Sequence, residues 1–179
     1  EPMPEVTSLP TPAPTTTQKP ATTEQQDLKL QTATGLKYSI NDAGECIIEG
    51  IGTCKLTEFA IPEEIDGHPV TAIAHSAFMD CTKLKSIIIP DSVTSIDYYA
   101  FYCCESLTNI KLSNGITQIE SHTFFECTGL KKIEIPNNVT TINYGAFINC
   151  TNLASVILPD SITTIGGEAF SGCSSLTDI

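Results

Sequence analysis

The sequence predicts a β-rich solenoid of the α/β class. Short parallel strands stack, short turns or 3-10 helices join them, and a β-hairpin caps the N-terminal end. Three observations carry this. Ala77-Phe78 returns as Ala100-Phe101, Thr123-Phe124, Ala146-Phe147 and Ala169-Phe170, at a step of 23 residues each time. Three residues after each Phe stands a cysteine (Cys81, Cys104, Cys127, Cys150, Cys173), and three further on a leucine (Leu84, Leu107, Leu130, Leu153, Leu176). Ahead of the repeats, Leu36, Tyr38 and Ile40 alternate with polar residues up to the turn-forming Asn41-Asp42-Ala43-Gly44. Self-similarity at a fixed period is the signature of units that bury their apolar side only against neighbours.

In chain order, residues 1–27 are different material from the rest. They hold Pro2, Pro4, Pro10, Pro12, Pro14 and Pro20, with only Met3, Val6 and Leu9 as large apolar residues. Such a stretch buries too little surface to offset its ordering entropy, so a disordered Pro/Thr-rich linker is expected there. The solenoid is expected over 28–179, with the cap and an opening repeat in 28–76 and the 23-residue repeats in 77–179. Leu36–Gly50 reads as the capping hairpin, returning through Cys46 and Ile48. Within a repeat, Leu-x-x-Ile-x-Ile forms a strand that points Ile87 and Ile89 inward, two residues apart. Pro90, Pro136 or Pro159 then ends the strand, having no N–H to give to a ladder, and Ser113 takes that place once. Val93-Thr94-Ser95-Ile96 and its equivalents return along the opposite side, and Ala-Phe begins a tight turn or a single helical turn. Ile179 aligns with Ile87, so the chain is expected to stop inside a strand as part of a longer parent.

Composition excludes several functions. Among 179 residues there are 21 acidic and 9 basic ones, for a formal charge of -12, and every basic residue is Lys. A nucleic-acid binder needs a basic face and usually Arg. No apolar run approaches the ~18 residues that span a bilayer. No secretory leader is evident, and a start at Glu1 rather than Met reads as a processed or cut end.

The repeat unit Cys-x-x-Leu-x-x-Ile-x-Ile-Pro-x-x-Val-Thr-x-Ile-x-x-x-Ala-Phe resembles the BspA-like leucine-rich repeats over about residues 36–179, and the segment Ile61 to Ile73 is similar to that family's opening repeat. The common leucine-rich repeat places Asn or Cys where this chain has Ser92, Gly115, Asn138 and Ser161, and only Asn138 fits. The resemblance implies a leucine-rich-repeat solenoid, secreted or displayed at a cell surface, that binds other proteins or glycans. It names no ligand, because the shared motif is framework.

The cysteines lack metal-ligand spacing, so no metal site is assigned. Cys81, Cys104, Cys127, Cys150 and Cys173 read as a buried ladder of small reduced residues, where a hydroxyl in place of a thiol has no assured partner. Cys46 and Cys54 either pair across a turn or stay free, and Cys103 reads as an exposed free thiol. His68, His75 and His122 fall at variable or loop positions with no nucleophile repeated beside them, and no phosphate loop occurs. Neither catalysis nor a cofactor is expected.

A solenoid keeps its function at variable positions. The residue after each Phe reads Met79, Tyr102, Phe125, Ile148 and Ser171, a large apolar stripe flanked by Tyr98, Tyr99 and Tyr144. It either packs over the turns as satellite core or binds a partner. The strand windows 83–88, 106–111, 129–134 and 152–157 hold Lys83, Lys85, Lys111, Lys131, Lys132 and Glu134, a net +4, against -8 elsewhere between Ala77 and Ser174. Lys85, Lys111, Lys131 and Lys132 therefore either solubilise an exposed sheet or steer an anionic partner. The expected partners are a host or neighbouring-cell surface protein or an acidic glycan. The alternatives are a passive spacer, or a targeting module for an enzyme elsewhere in the parent.

Overall fold

The computed structural model describes residues 31–177 and Ile179; the linker expected over 1–27 and the first solenoid residues, 28–30, lie outside the described residues. Strands β1 (Lys37–Ile40) and β2 (Cys46–Gly50) form the antiparallel capping hairpin. Its turn is the expected one: the Asn41 side-chain oxygen accepts from Ala43 N at 3.0 Å and Glu45 N at 2.9 Å, and Gly44 takes φ +77°. The opening repeat contains β3 (Glu58–Ala60), β4 (Glu64–Ile65) and β5 (His68–Ile73). The copies that follow supply β6 (Ser86–Ile88), β7 (Ser95–Ile96), β8 (Asn109–Lys111), β9 (Gln118–Ile119), β10 (Lys132–Glu134), β11 (Thr141–Ile142), β12 (Ser155–Ile157) and β13 (Thr164–Ile165).

Two sheets result. On the strand face β3, β6 and β8 pair in parallel, as do β10 and β12; on the return side β2, β5 and β7 pair in parallel, as do β9, β11 and β13. In the first copy Ile87, Ile89, Val93 and Ile96 are buried as the spacing selects, and in the third Ile133, Ile135, Val139 and Ile142; Ile110, Leu158 and Ile162 are half-buried, and Ile165 is exposed. Between the sheets runs a column of phenylalanines. Phe78, Phe101, Phe124, Phe147 and Phe170 stack with successive centroids 5.2, 5.5, 5.2 and 5.2 Å apart. Each buried ring contributes roughly 2–3 kcal/mol.

The Ala-Phe segments are successive turns rather than 3-10 helices, and none of the described residues is helical. The reason is local. Each copy has left-handed φ two residues before and two after its Phe, as at Ser76 and Asp80 (56° and 57°), Tyr99 and Cys103 (60° and 55°), and His122 and Glu126 (56° and 55°). A left-handed residue every four positions stops a right-handed helix from growing. The turned backbone makes a third ladder instead. Phe78 N donates to Ala100 O, Phe101 N to Thr123 O and Phe124 N to Ala146 O at 2.8–2.9 Å, and Asp80, Cys103 and Glu126 donate likewise one copy onward at 2.8 Å.

The two sheets are interrupted at one place. Strands up to β8 pair among themselves, and so do strands from β9 onward. Between β8 and β9 lies the corner where Ser113 replaces proline. Its hydroxyl donates to Val93 O and accepts from Gly115 N at 2.9 Å. A Cβ on Gly115 would stand 2.7 Å from Val93 O, so only glycine fits there. The turn ladder and the Phe column cross this joint unbroken.

Candidate binding surface: an aromatic strip along the turns

Met79, Tyr102, Phe125 and Ile148 follow the core phenylalanines and point away from them. Met79 is 42% exposed, and the other three are half-buried. The Tyr102 and Phe125 rings stack at 4.7 Å and 5°. A second row runs alongside. His75 meets Tyr99 edge-on at 5.5 Å, Tyr99 stacks on His122 at 5.0 Å and 9°, and His122 meets Tyr144 at 5.5 Å. Contacts of 5.7 Å (Tyr99 to Tyr102) and 5.9 Å (His122 to Phe125) join the rows into one surface. Tyr98 and Tyr144 flank it, each 47% exposed.

The turns explain this outward display. Tyr99 and His122 sit at the left-handed position before Phe, which Gly145 occupies in the next copy. Holding a side chain other than Gly or Asn there costs about 1–3 kcal/mol. The stacks offset part of that, at roughly 0.5–1.5 kcal/mol per aromatic pair. Both close stacks, Tyr99–His122 and Tyr102–Phe125, cross the joint where the sheets are interrupted.

The next column outward reads Asp80, Cys103, Glu126 and Asn149. Cys103 Sγ donates to Glu126 Oε2 at 3.5 Å, and Asn149 Nδ2 donates to Oε1 at 3.4 Å. Burial, then the hydrogen bond to and charge of Glu126, then the charge of Asp80 push the Cys103 thiol up to about 11. Burial first, and then Cys103, Glu126 and Asp80, also raise the Tyr102 phenol. A hydrogen bond to Glu168 raises Tyr144. The charged side chains in this column, Asp80 and Glu126, are both acidic.

The lysines lie elsewhere. Lys85, Lys111, Lys131 and Lys132 are all exposed and belong to the strand face. Lys85 and Lys131 hold the same repeat position two copies apart. Lys111 pairs in register with Ile88, and Lys132 with Ser155. That face also carries Glu58 and Glu134. The two sets of candidate residues thus form two surfaces, not one site.

Cys104, Cys127 and Cys150 are fully buried as the ladder requires, whereas Cys81 and Cys173 are half-buried. Each thiol from Cys104 onward donates to a phenylalanine carbonyl one copy back: Cys104 to Phe78, Cys127 to Phe101, Cys150 to Phe124 and Cys173 to Phe147, at 3.0–3.1 Å. The expectation that a donor there lacks a partner fails: the turn aims at the thiol a carbonyl that also accepts from the cysteine N–H three residues on, as Phe78 O does from Cys81 N at 3.1 Å. Cys103 is half-buried rather than exposed, and Cys46 and Cys54 are free thiols.

His75 and His122 lie in turns, as expected of loop positions, and both belong to the aromatic surface; His68 instead opens β5, with its Nδ1 2.8 Å from Gly44 O. Aromatic residues two or three positions before Phe in successive copies were the available signal. Among the described residues no group of three or more His, Cys, Asp or Glu is placed to hold a metal ion. A concavity of about 400 Å³ lies by the hairpin, lined by Tyr38, Ile65 and Asp66 among others and by no residue of the strip.

The BspA type Leucine rich repeat region family matches residues 51–177 in six copies. A leucine rich repeat protein of T. pallidum is 33% identical with a TM-score of 0.75; the match covers 80% of this chain and 67% of that one. A leucine rich cell surface protein of Faecalibacterium prausnitzii is 32% identical with a TM-score of 0.74, over 82% of this chain and 38% of that one. A leucine-rich repeat protein of Bacteroides ovatus is 28% identical with a TM-score of 0.61, over 80% and 45%. The chain thus spans less than half the length of the latter two. No protein of curated function matches it. Period, Phe column, sheet pairing and matches agree, and the chain belongs to the BspA-type leucine-rich repeat family.

Proposed function

We propose that this chain is a non-catalytic binding module, secreted or displayed at a cell surface, that holds a partner protein or glycan against the aromatic strip. Proteins with such repeats generally act through interactions. The observation that carries this reading is a joined double row of rings, partly exposed, on the turns of a framework whose buried core is the inner Phe column with the inward Ile, Leu, Val and Cys residues. A passive spacer requires no such strip. The cell-surface description of the F. prausnitzii relative supports the location, and the Pro/Thr composition of residues 1–27 suits a spacer that projects the module. Adhesion is the activity that fits both.

The test is a capture screen against matrix proteins and mucin glycans, comparing the natural chain with the Tyr102→Ser, Phe125→Ser double variant. Capture should fall by about tenfold or more with only a modest change in melting temperature. Unchanged capture by a folded double variant would exclude the strip. A stability loss as large as that of a core phenylalanine would instead make the rings satellite packing for the joint.

A second reading rests on the strand face, where Lys85, Lys111, Lys131 and Lys132 stand exposed on an otherwise acidic body. There the partner is an acidic glycan or an acidic protein patch.

A further inference from the structure

We propose that the partner met by the aromatic strip is a cationic protein segment, its Arg or Lys side chains lying against the rings and paired with the carboxylates beside them. This rests on the strip being the binding surface and adds the chemistry of what it binds.

Three observations favour a cation. The surface is aromatic: Tyr102 stacks on Phe125, Tyr99 stacks on His122, and Tyr144 extends the second row. Ring faces attract guanidinium and ammonium groups, most strongly where water is partly excluded. The flanking charge has one sign. Across 74–80, 97–103, 120–126, 143–149 and 166–172 the charged residues are Asp80, Asp97, Glu120, Glu126 and Glu168, with no lysine. Among the described residues no lysine lies within ion-pair distance, 4.0 Å, of any of these five carboxylates. Glu126 is held in place by Cys103 and Asn149, both neutral donors, and its charge with that of Asp80 reaches the Tyr102 phenol.

These features discriminate between occupants. A neutral glycan would use the rings and gain nothing from the carboxylates. An acidic glycan would be repelled by them. A basic peptide satisfies both, as Arg can stack on a ring and fork to a carboxylate at once. The lysines of the strand face lie on β8, β10 and their neighbours, so they do not oppose its approach.

The experiment titrates the full chain with a short oligo-arginine peptide, following ring-proton shifts for location and calorimetry for affinity. Shifts should centre on Tyr102, Phe125 and Tyr144. Affinity should fall by about tenfold between ~0.05 M and ~0.5 M salt as the Debye length shortens. Asp80→Asn with Glu126→Gln keeps side-chain size and should weaken binding by about tenfold. Glu63→Gln with Asp160→Asn removes the same formal charge at exposed corners and should change it by less than about twofold. Equal losses in the two double variants, or shifts spread over the whole acidic surface, would reduce the effect to net charge and overturn the proposal. If a neutral mucin oligosaccharide shifts the same rings while oligo-arginine does not, the cationic class is wrong and the strip survives as a site. If neither probe shifts the rings, and Tyr102→Ser leaves capture of every screened partner unchanged, the strip reading itself fails.

Discussion

Cys127 is buried completely, and its Sγ lies 3.1 Å from the Phe101 carbonyl, so it fills space and donates a hydrogen bond. Truncation to Ala should cost about 1–3 kcal/mol, from the lost thiol hydrogen bond and a small void, although the Phe101 carbonyl keeps Cys104 N at 3.2 Å. Cys127→Ser keeps a donor aimed at the same carbonyl, and denaturant melts should place it nearer the natural chain than Cys127→Ala. The reverse order would mean that apolar volume alone governs the ladder. Cys103 gives the contrasting prediction. With its thiol pushed up to about 11, chiefly by burial and Glu126, the thiolate is scarce near neutral pH. Only about one molecule in a thousand carries it at pH ~8, against roughly a quarter for an ordinary thiol. Alkylation of Cys103 should therefore be slow at that pH and accelerate steeply only toward pH ~11, while Cys127 reacts only on unfolding. Fast labelling of Cys103 near neutrality would contradict the contact with Glu126. The five-fold recurrence of cysteine was plain in the sequence, but the acceptor was not. It becomes available only because left-handed residues turn the preceding copy's backbone so that its Phe carbonyl faces the thiol.

The Phe column is the element that joins copies most directly, and it crosses the joint where both sheets are interrupted. Phe124 is fully buried and stacks on Phe101 at 5.5 Å and on Phe147 at 5.2 Å. Phe124→Ala should cost about 3–5 kcal/mol, as large-to-small core changes do, and uncouple the copies on either side. Hydrogen exchange should then show strands from β9 onward opening separately from those up to β8. A single cooperative transition at the natural midpoint would refute the role given to the column. The period, the hairpin over Leu36–Gly50 and the inward isoleucines were legible, because apolar spacing reports which side of a strand is buried. The joint was not, although Ser113 and Gly115 stood out as departures. Whether a departure breaks a ladder depends on how the next copy settles against it, here with the Ser113 hydroxyl bonded to Val93 O.

At the scale of the whole molecule the lysines of the repeats gather on the strand face, beside Glu58 and Glu134, while the charged residues of the turns are carboxylates. Lys85, Lys111 and Lys132 changed together to Gln should slow association with an anionic partner more than they alter stability, and the natural chain's rate should fall as salt rises. Indifference of binding to both would remove the strand face as a site. The sequence by itself determined the solenoid, its period, its core and the two sets of outward candidates, because these follow from repeat position alone. It could not determine that Tyr102 lies flat on Phe125, or that His75 and His122 join Tyr99 and Tyr144 in one surface. Residues in neighbouring copies meet across 23 positions of chain. Whether their rings touch is decided by the left-handed turns that carry them and by the spacing of the stack, and those exist only once the copies have packed together.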